Sequence, residues 1–266
     1  MSAGLDVEAG VRHRLALGVE VIDAVTESAV PTVLSIERER HDRPDTTLIG
    51  GRGGRFRLLH GLSVRDEVTL RIFDQERRYV PRRFRVPLWT EAEVRQNEDD
   101  PTKAFVPAGS RTLRPWLAPD VGCPCSGATG LRAQLLLDRE PLRWARITAA
   151  TDGGTVLGRT HGNDRGEFLL LLSGRGVPRP ARDEVTVNLT IRARLPQPDP
   201  DPDDRLADCP VEVQLRPSNP PVPTDLDNPR LRGEVPPPGF STSSFRPRIP
   251  LRFGTVTALG PFQFIP

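Results

Sequence analysis

Cys123-Pro124-Cys125 is the tightest grouping of soft nucleophiles in the chain, and Cys209 is the third thiol. A structural zinc site takes four ligands, usually as two close pairs. The four histidines, His13, His41, His60 and His161, supply no second pair. Cys-x-Cys also departs from the Cys-x-x-Cys spacing of dithiol oxidoreductases, so these thiols read as reduced and inert. No histidine stands in an H-E-x-x-H frame. Neither SGATG at 126–130 nor FSTSS at 240–244 makes the G-x-S-x-G elbow of a serine hydrolase. Gly50-Gly51-Arg52-Gly53-Gly54 is glycine-rich enough to cradle a phosphate. It leads into a strand pattern rather than a helix, however, and lacks the G-K-S/T ending. Asp99-Asp100 and Asp203-Asp204 fall in polar loops, where solvated charge accounts for them, and the D-P-D-P-D-D run has no distal glutamate for calcium. The expectation is therefore no catalytic residue, no cofactor, no metal and no small-molecule substrate.

The scaffold behind these residues must be rich in turns. The 29 prolines and 23 glycines make long helices improbable, and 266 residues suit two domains plus connections. Aromatic residues are only 5% of the chain, so its cores must lean on Leu, Val and Ile, whose branched members favour strands. The 37 basic and 35 acidic residues are interleaved, which implies no nucleic-acid partner. The N-terminal MSAGLDVEAGVRHRL has no apolar h-region, and no stretch approaches 18 apolar residues. These features predict no membrane span, and three cysteines fit a reducing compartment, so cytoplasmic synthesis is expected.

After a tail at 1–10, a first β-sandwich is expected over 11–90, where Val68, Leu70 and Ile72, then Phe84, Val86 and Leu88, alternate with polar residues. That alternation predicts one wet face. A second β-sandwich is expected over 131–196. The two share an order of landmarks. Gly54-Arg55-Phe56 precedes Leu58-Leu59 as Gly166-Glu167-Phe168 precedes Leu169-Leu170, and Asp66-Glu67-Val68-Thr69 matches Asp183-Glu184-Val185-Thr186. This reads as an internal duplication. The glycine allows a positive φ at the turn, and the phenylalanine that follows is placed to enter the core between two sheets. The fold class is thus all-β: two tandem antiparallel β-sandwich domains of immunoglobulin or transthyretin type.

Residues 91–130 read as an irregular linker, with Phe105 and Trp116 as its anchors and a helical turn or two at Glu91–Glu98. Residues 197–245 form a proline-rich extended arm with one short strand candidate, VEVQL at 211–215. The segment 246–266 regains apolar alternation. Phe245, Ile249, Leu251, Phe253, Val256, Phe262 and Phe264 then become candidate partner-binding residues, free to add as a strand to another subunit or to fold back onto their own modules.

In RITAATDGGTVLGRTHGNDRGEFLLLL the second module resembles the carboxypeptidase-regulatory or transthyretin-like β-sandwich, and residues 11 to 88 resemble it more loosely. The layout of sandwich, linker with Arg114-Pro115-Trp116-Leu117-Ala118-Pro119, second sandwich and proline-rich arm is similar to an accessory structural component of contractile phage-tail-like injection particles. That resemblance implies a non-enzymatic assembly subunit at a baseplate, cap or fibre attachment. Its partners would be other protein subunits, in a particle assembled in the cytoplasm and released by lysis. The alternative is a glycan or cell-wall binding protein, for which Trp89, Trp116, Trp144 and Tyr79 are the available aromatics.

Overall fold

The computed structural model describes residues 14–31, 33–50, 54–61, 64–173, 183–222 and 228–266. The tail at 1–10 and the loop glycines Gly51 and Gly53 lie outside the described residues. The all-β, two-sandwich expectation holds, and each sandwich places alternating apolar residues between two sheets.

In the first sandwich, Leu15–Glu20 pairs antiparallel with Arg55–Leu59 and parallel with Thr112–Leu113. The facing sheet runs in the order Val211–Val213, Arg82–Pro87, Glu67–Asp74, Leu34–Arg40, Arg43–Thr47. Val68 opposes Val86 and Leu70 opposes Phe84. These side chains join Leu17, Val19 and Ile36 in one buried cluster.

The second sandwich repeats this plan. Gly130–Leu137 pairs antiparallel with Glu167–Leu171 and parallel with Val256–Ala258 and Phe262–Gln263. Opposite it, Val156–His161, Arg146–Ala150 and Glu184–Arg194 lie side by side, and Glu184–Arg194 also pairs with Phe240–Thr242 and Arg248–Arg252. Val185 opposes Leu251 and Val187 opposes Ile249, as Val68 opposes Val86 and Leu70 opposes Phe84 in the first copy. Gly54 and Gly166 both have positive φ, 69° and 70°, and both launch the strand that pairs with their module's first strand. Phe168 is fully buried, while Phe56 is half-buried against its core. The duplication read from the sequence is therefore a duplication of strand order and register.

Three expectations change. The segment expected as a linker contributes two short strands to the first half of the chain: Thr112–Leu113 beside Leu15–Glu20, and Trp116–Leu117 parallel to Ile22–Asp23. In the second copy, Val256–Ala258 and Phe262–Gln263 take the same places beside Gly130–Leu137. The segment 246–266 is thus the second sandwich's own closing edge, separated from the rest of that sandwich by the proline-rich stretch. It folds back, and its apolar pattern exists to fill its own core. Ile249, Leu251 and Phe264 are buried there, Phe262 packs against it, and its ring stacks on Phe168 at 6.4 Å. They are core residues and not partner-binding ones. Phe253 and Val256 are half-buried and Phe245 is 39% exposed. Finally, Phe105 is 63% exposed and anchors nothing. The helix expected near Glu91 spans Glu91–Asp99, begun by a capping box in which Thr90 and Glu93 satisfy each other's backbone N–H groups.

Candidate functional site

The expected wet face of the first sandwich stays wet at Glu67 and Arg85 but is covered at its other end. Arg71 and Arg83 stand opposite each other on its outer face, 1% and 4% exposed, because the proline-rich arm lies over them. Arg83 binds Glu39 through both Nε (2.7 Å) and Nη2 (2.8 Å), and its Nη1 donates to the carbonyls of Ala207 (2.8 Å) and Cys209 (2.9 Å). Arg71 also donates to Glu39, and to Asp204 at 2.5 Å. Proline-rich backbone leaves carbonyls without ladder partners, and these guanidiniums supply the missing donors.

The arm continues as Val211–Val213, which pairs parallel with Arg82–Pro87 at the sheet edge. This carries Glu212 to the meeting point of both modules. Arg82, from the first module, donates to Glu212 Oε1 from Nε (2.8 Å) and to Oε2 from Nη2 (2.6 Å). Its other donors reach the carbonyls of Trp116 (2.7 Å), Leu231 (2.5 Å) and Arg230 (2.7 Å). A guanidinium has five N–H donors, and all five are satisfied by protein. Arg146, from the second module, donates to Glu212 Oε1 at 2.8 Å. One buried carboxylate thus bridges a cation of each sandwich.

His161 completes the cluster. It is 4% exposed, and burial first, then Arg146 and Arg82, hold its pKa well below the ordinary imidazole value, so it is neutral. Gly233 of the arm, with φ of 73°, packs so closely that a Cβ there would lie 2.4 Å from His161 Nε2. A small apolar cluster of Val80, Trp144, Leu206 and Cys209 joins first module, second module and arm at the same junction. Asn163 Nδ2 donates to Asp120 at 2.9 Å, and Tyr79 OH donates to Asp23 at 2.6 Å. Beside these lies a cleft of about 310 Å³, walled by Trp116 and Ala118 on one side and Leu157, Arg159 and His161 on the other.

This arrangement can clamp the two modules and the arm together. Glu212 is sealed by Arg82 and Arg146, and among the described residues no group of three or more His, Cys, Asp and Glu side chains converges as a metal-ligand set. The tryptophans are not open sugar platforms: Arg216 covers Trp89 at 4.8 Å, Arg232 covers Trp116 at 5.1 Å, and Trp144 is 4% exposed. Trp116 lies in a strand paired with Ile22–Asp23, and its carbonyl accepts from Arg82. Sequence reasoning missed Arg71, Arg82, Arg83, Arg146, His161 and Glu212. The usable signal was Glu212 in Val211-Glu212-Val213, a lone charge in an apolar strand pattern, and the paired arginines 82 and 83 ahead of Phe84.

No family model matches the chain, and no curated protein matches it. Among solved structures, the Bacillus anthracis TIE protein aligns over 95% of this chain and 34% of its own, at 8% identity and a TM-score of 0.27. The chain thus spans about a third of that protein's length. The shaft pilin SpaA from Lactobacillus rhamnosus GG aligns over 96% of this chain and all of its own, at 8% identity and a TM-score of 0.23. No helix among the described residues is long and apolar enough to cross a membrane.

Proposed function

We propose that this protein is a non-catalytic structural subunit of a multiprotein particle of the contractile phage-tail-like kind, in which two sandwiches act as one rigid spacer. The observation that supports this reading is the arm. It crosses the outer face of the first module, reaches the second, and carries Glu212, which binds Arg82 of the first module and Arg146 of the second. A chain whose role was to tether would have no use for Glu212 sealed between Arg82 and Arg146. Fixed geometry serves a subunit that sets the position of its neighbours.

Docking through the C-terminal strand is not part of the proposal, since that strand is consumed by its own sandwich. Among the described residues the exposed large apolar side chains include Val33 and Ile49 on the first module, Phe105 between the modules, Val213, Leu215, Val222 and Val235 on the arm, and Phe245 and Ile265 near the end of the chain. Purification of the tagged chain from its native host tests the reading. Sheath and tube proteins should accompany it. A chain recovered alone and monomeric from cells that contain assembled particles would overturn it.

A further inference from the structure

The Cys-Pro-Cys step sits in the turn that connects the two modules, and the structure gives its sulfurs surroundings that the sequence did not suggest. Cys123 N–H donates to the Asp120 carbonyl at 2.8 Å, and Ala128 N–H donates to the Cys125 carbonyl at 3.1 Å, so each cysteine belongs to its own tight turn. Both side chains are half-buried and reachable from solvent, unlike Cys209, which is 4% exposed among Val80, Trp144 and Leu206. Arg132 projects from Gly130–Leu137 with its Nη2 at 3.2 Å from Cys125 Sγ and 3.5 Å from the Cys123 carbonyl. A guanidinium N–H on sulfur stabilises the negative charge of an attacking or departing thiolate. Residues two apart in a bent chain have Cα atoms about 6 Å apart, inside the span a disulfide bridges. Pro124 between them fixes one φ of the segment.

We propose that Cys123 and Cys125 form a redox-active dithiol, which a small aliphatic disulfide of the glutathione type converts to an internal disulfide at the junction of the modules. Cys125 loses its proton, and its sulfur, 3.2 Å from Arg132 Nη2, attacks one sulfur of the reagent. The reagent S–S bond breaks, and its other half leaves as a thiolate that takes up a proton. Cys123 then loses its proton and attacks the Cys125 sulfur of the mixed disulfide, expelling the second half as a thiol. Two protein thiols are oxidised, one reagent disulfide is reduced to two thiols, and the protons balance. The order follows from the surroundings. Burial, then Asp23, then Cys125 push the Cys123 thiol up, and the Cys125 contribution disappears once that sulfur is in the mixed disulfide. Cys209 takes no part, because burial pushes its thiol up to about 12.

The test is native mass spectrometry and thiol counting on the full chain in oxidised glutathione. Wild type should lose two hydrogen masses and two of its three thiols, with the bridge mapping to Cys123 and Cys125 in a peptide digest. Cys123→Ser should stop at a stable mixed disulfide on Cys125. Cys125→Ser should form a mixed disulfide on Cys123 about tenfold more slowly, and Arg132→Gln should slow the first step of the wild-type pair by a similar factor. Three titratable thiols persisting in wild type, a bridge that includes Cys209, or a stable mixed disulfide in wild type with no closure would each overturn the proposal.

Discussion

Replacing Glu212 with alanine leaves two guanidiniums facing each other with no counter-charge. Arg82 is 1% exposed and Arg146 is 7% exposed, so water cannot stand in for the lost carboxylate. Three charge-assisted hydrogen bonds disappear, at 2.8, 2.6 and 2.8 Å. Removing one partner of a buried ion pair costs about 3–5 kcal/mol, because the surviving charge remains desolvated. Two cations are stranded here, so the upper half of that range is expected, about 4–5 kcal/mol. With a urea slope of about 3 kcal/mol per molar, the midpoint falls by about 1.5 M. The carboxylate also bridges the modules, so wild type should unfold in one transition and Glu212→Ala in two, followed by tryptophan fluorescence and far-ultraviolet circular dichroism. A companion in which Arg82, Glu212 and Arg146 become Met, Leu and Met removes the charges together and should recover much of the loss. A shift below about 1 kcal/mol in Glu212→Ala, with a single transition retained, would refute the clamp.

Gly166→Ala should destabilise by about 2 kcal/mol or more, since its φ is 70° and a Cβ would stand 2.7 Å from the Leu135 carbonyl oxygen, whereas Gly54→Ala, with 3.4 Å to its nearest neighbour, should lose only about 1 kcal/mol; thermal unfolding of both variants separates strain from collision. His161 binds a proton more readily unfolded than folded, so stability should fall as pH drops below about 6.5, the unfolded imidazole value. His60 shifts in the same direction through burial, so the informative quantity is how far His161→Gln flattens the melting temperature between pH 7 and pH 5. Deleting residues 246–266 removes Ile249, Leu251 and Phe264 from the second core, worth about 6 kcal/mol from these side chains alone. Limited proteolysis should then digest the second sandwich while the first survives, and an intact second sandwich would contradict its closure by this segment.

Strand content, the two-module order and the glycine-phenylalanine landmarks could be read from residues 15–88 and 131–196, because side-chain alternation and turn chemistry are local. Phe168 entered the core as the pattern demanded. The tail shows where local reading stops. Its alternation declared that Ile249 and Leu251 would be buried, but not against what, since any apolar surface with a free strand edge satisfies the same pattern. Only the pairing of Val187 with Ile249 decided for the chain's own sandwich.

The clamp was hidden for a related reason. Outward-facing Arg71 and Arg83 are ordinary solvent-face residues in a strand, and proline-rich text ordinarily means solvated chain. They become buried partners only when the arm lies across the sheet, a placement set by contacts between residues more than a hundred positions apart, such as Arg82 with Glu212. The sequence by itself determined that this protein is two copies of a sandwich with no familiar catalytic motif. Tertiary structure alone decided that the proline-rich arm is a staple, because the free energy of a buried charge depends on what surrounds it and not on its neighbours in the chain.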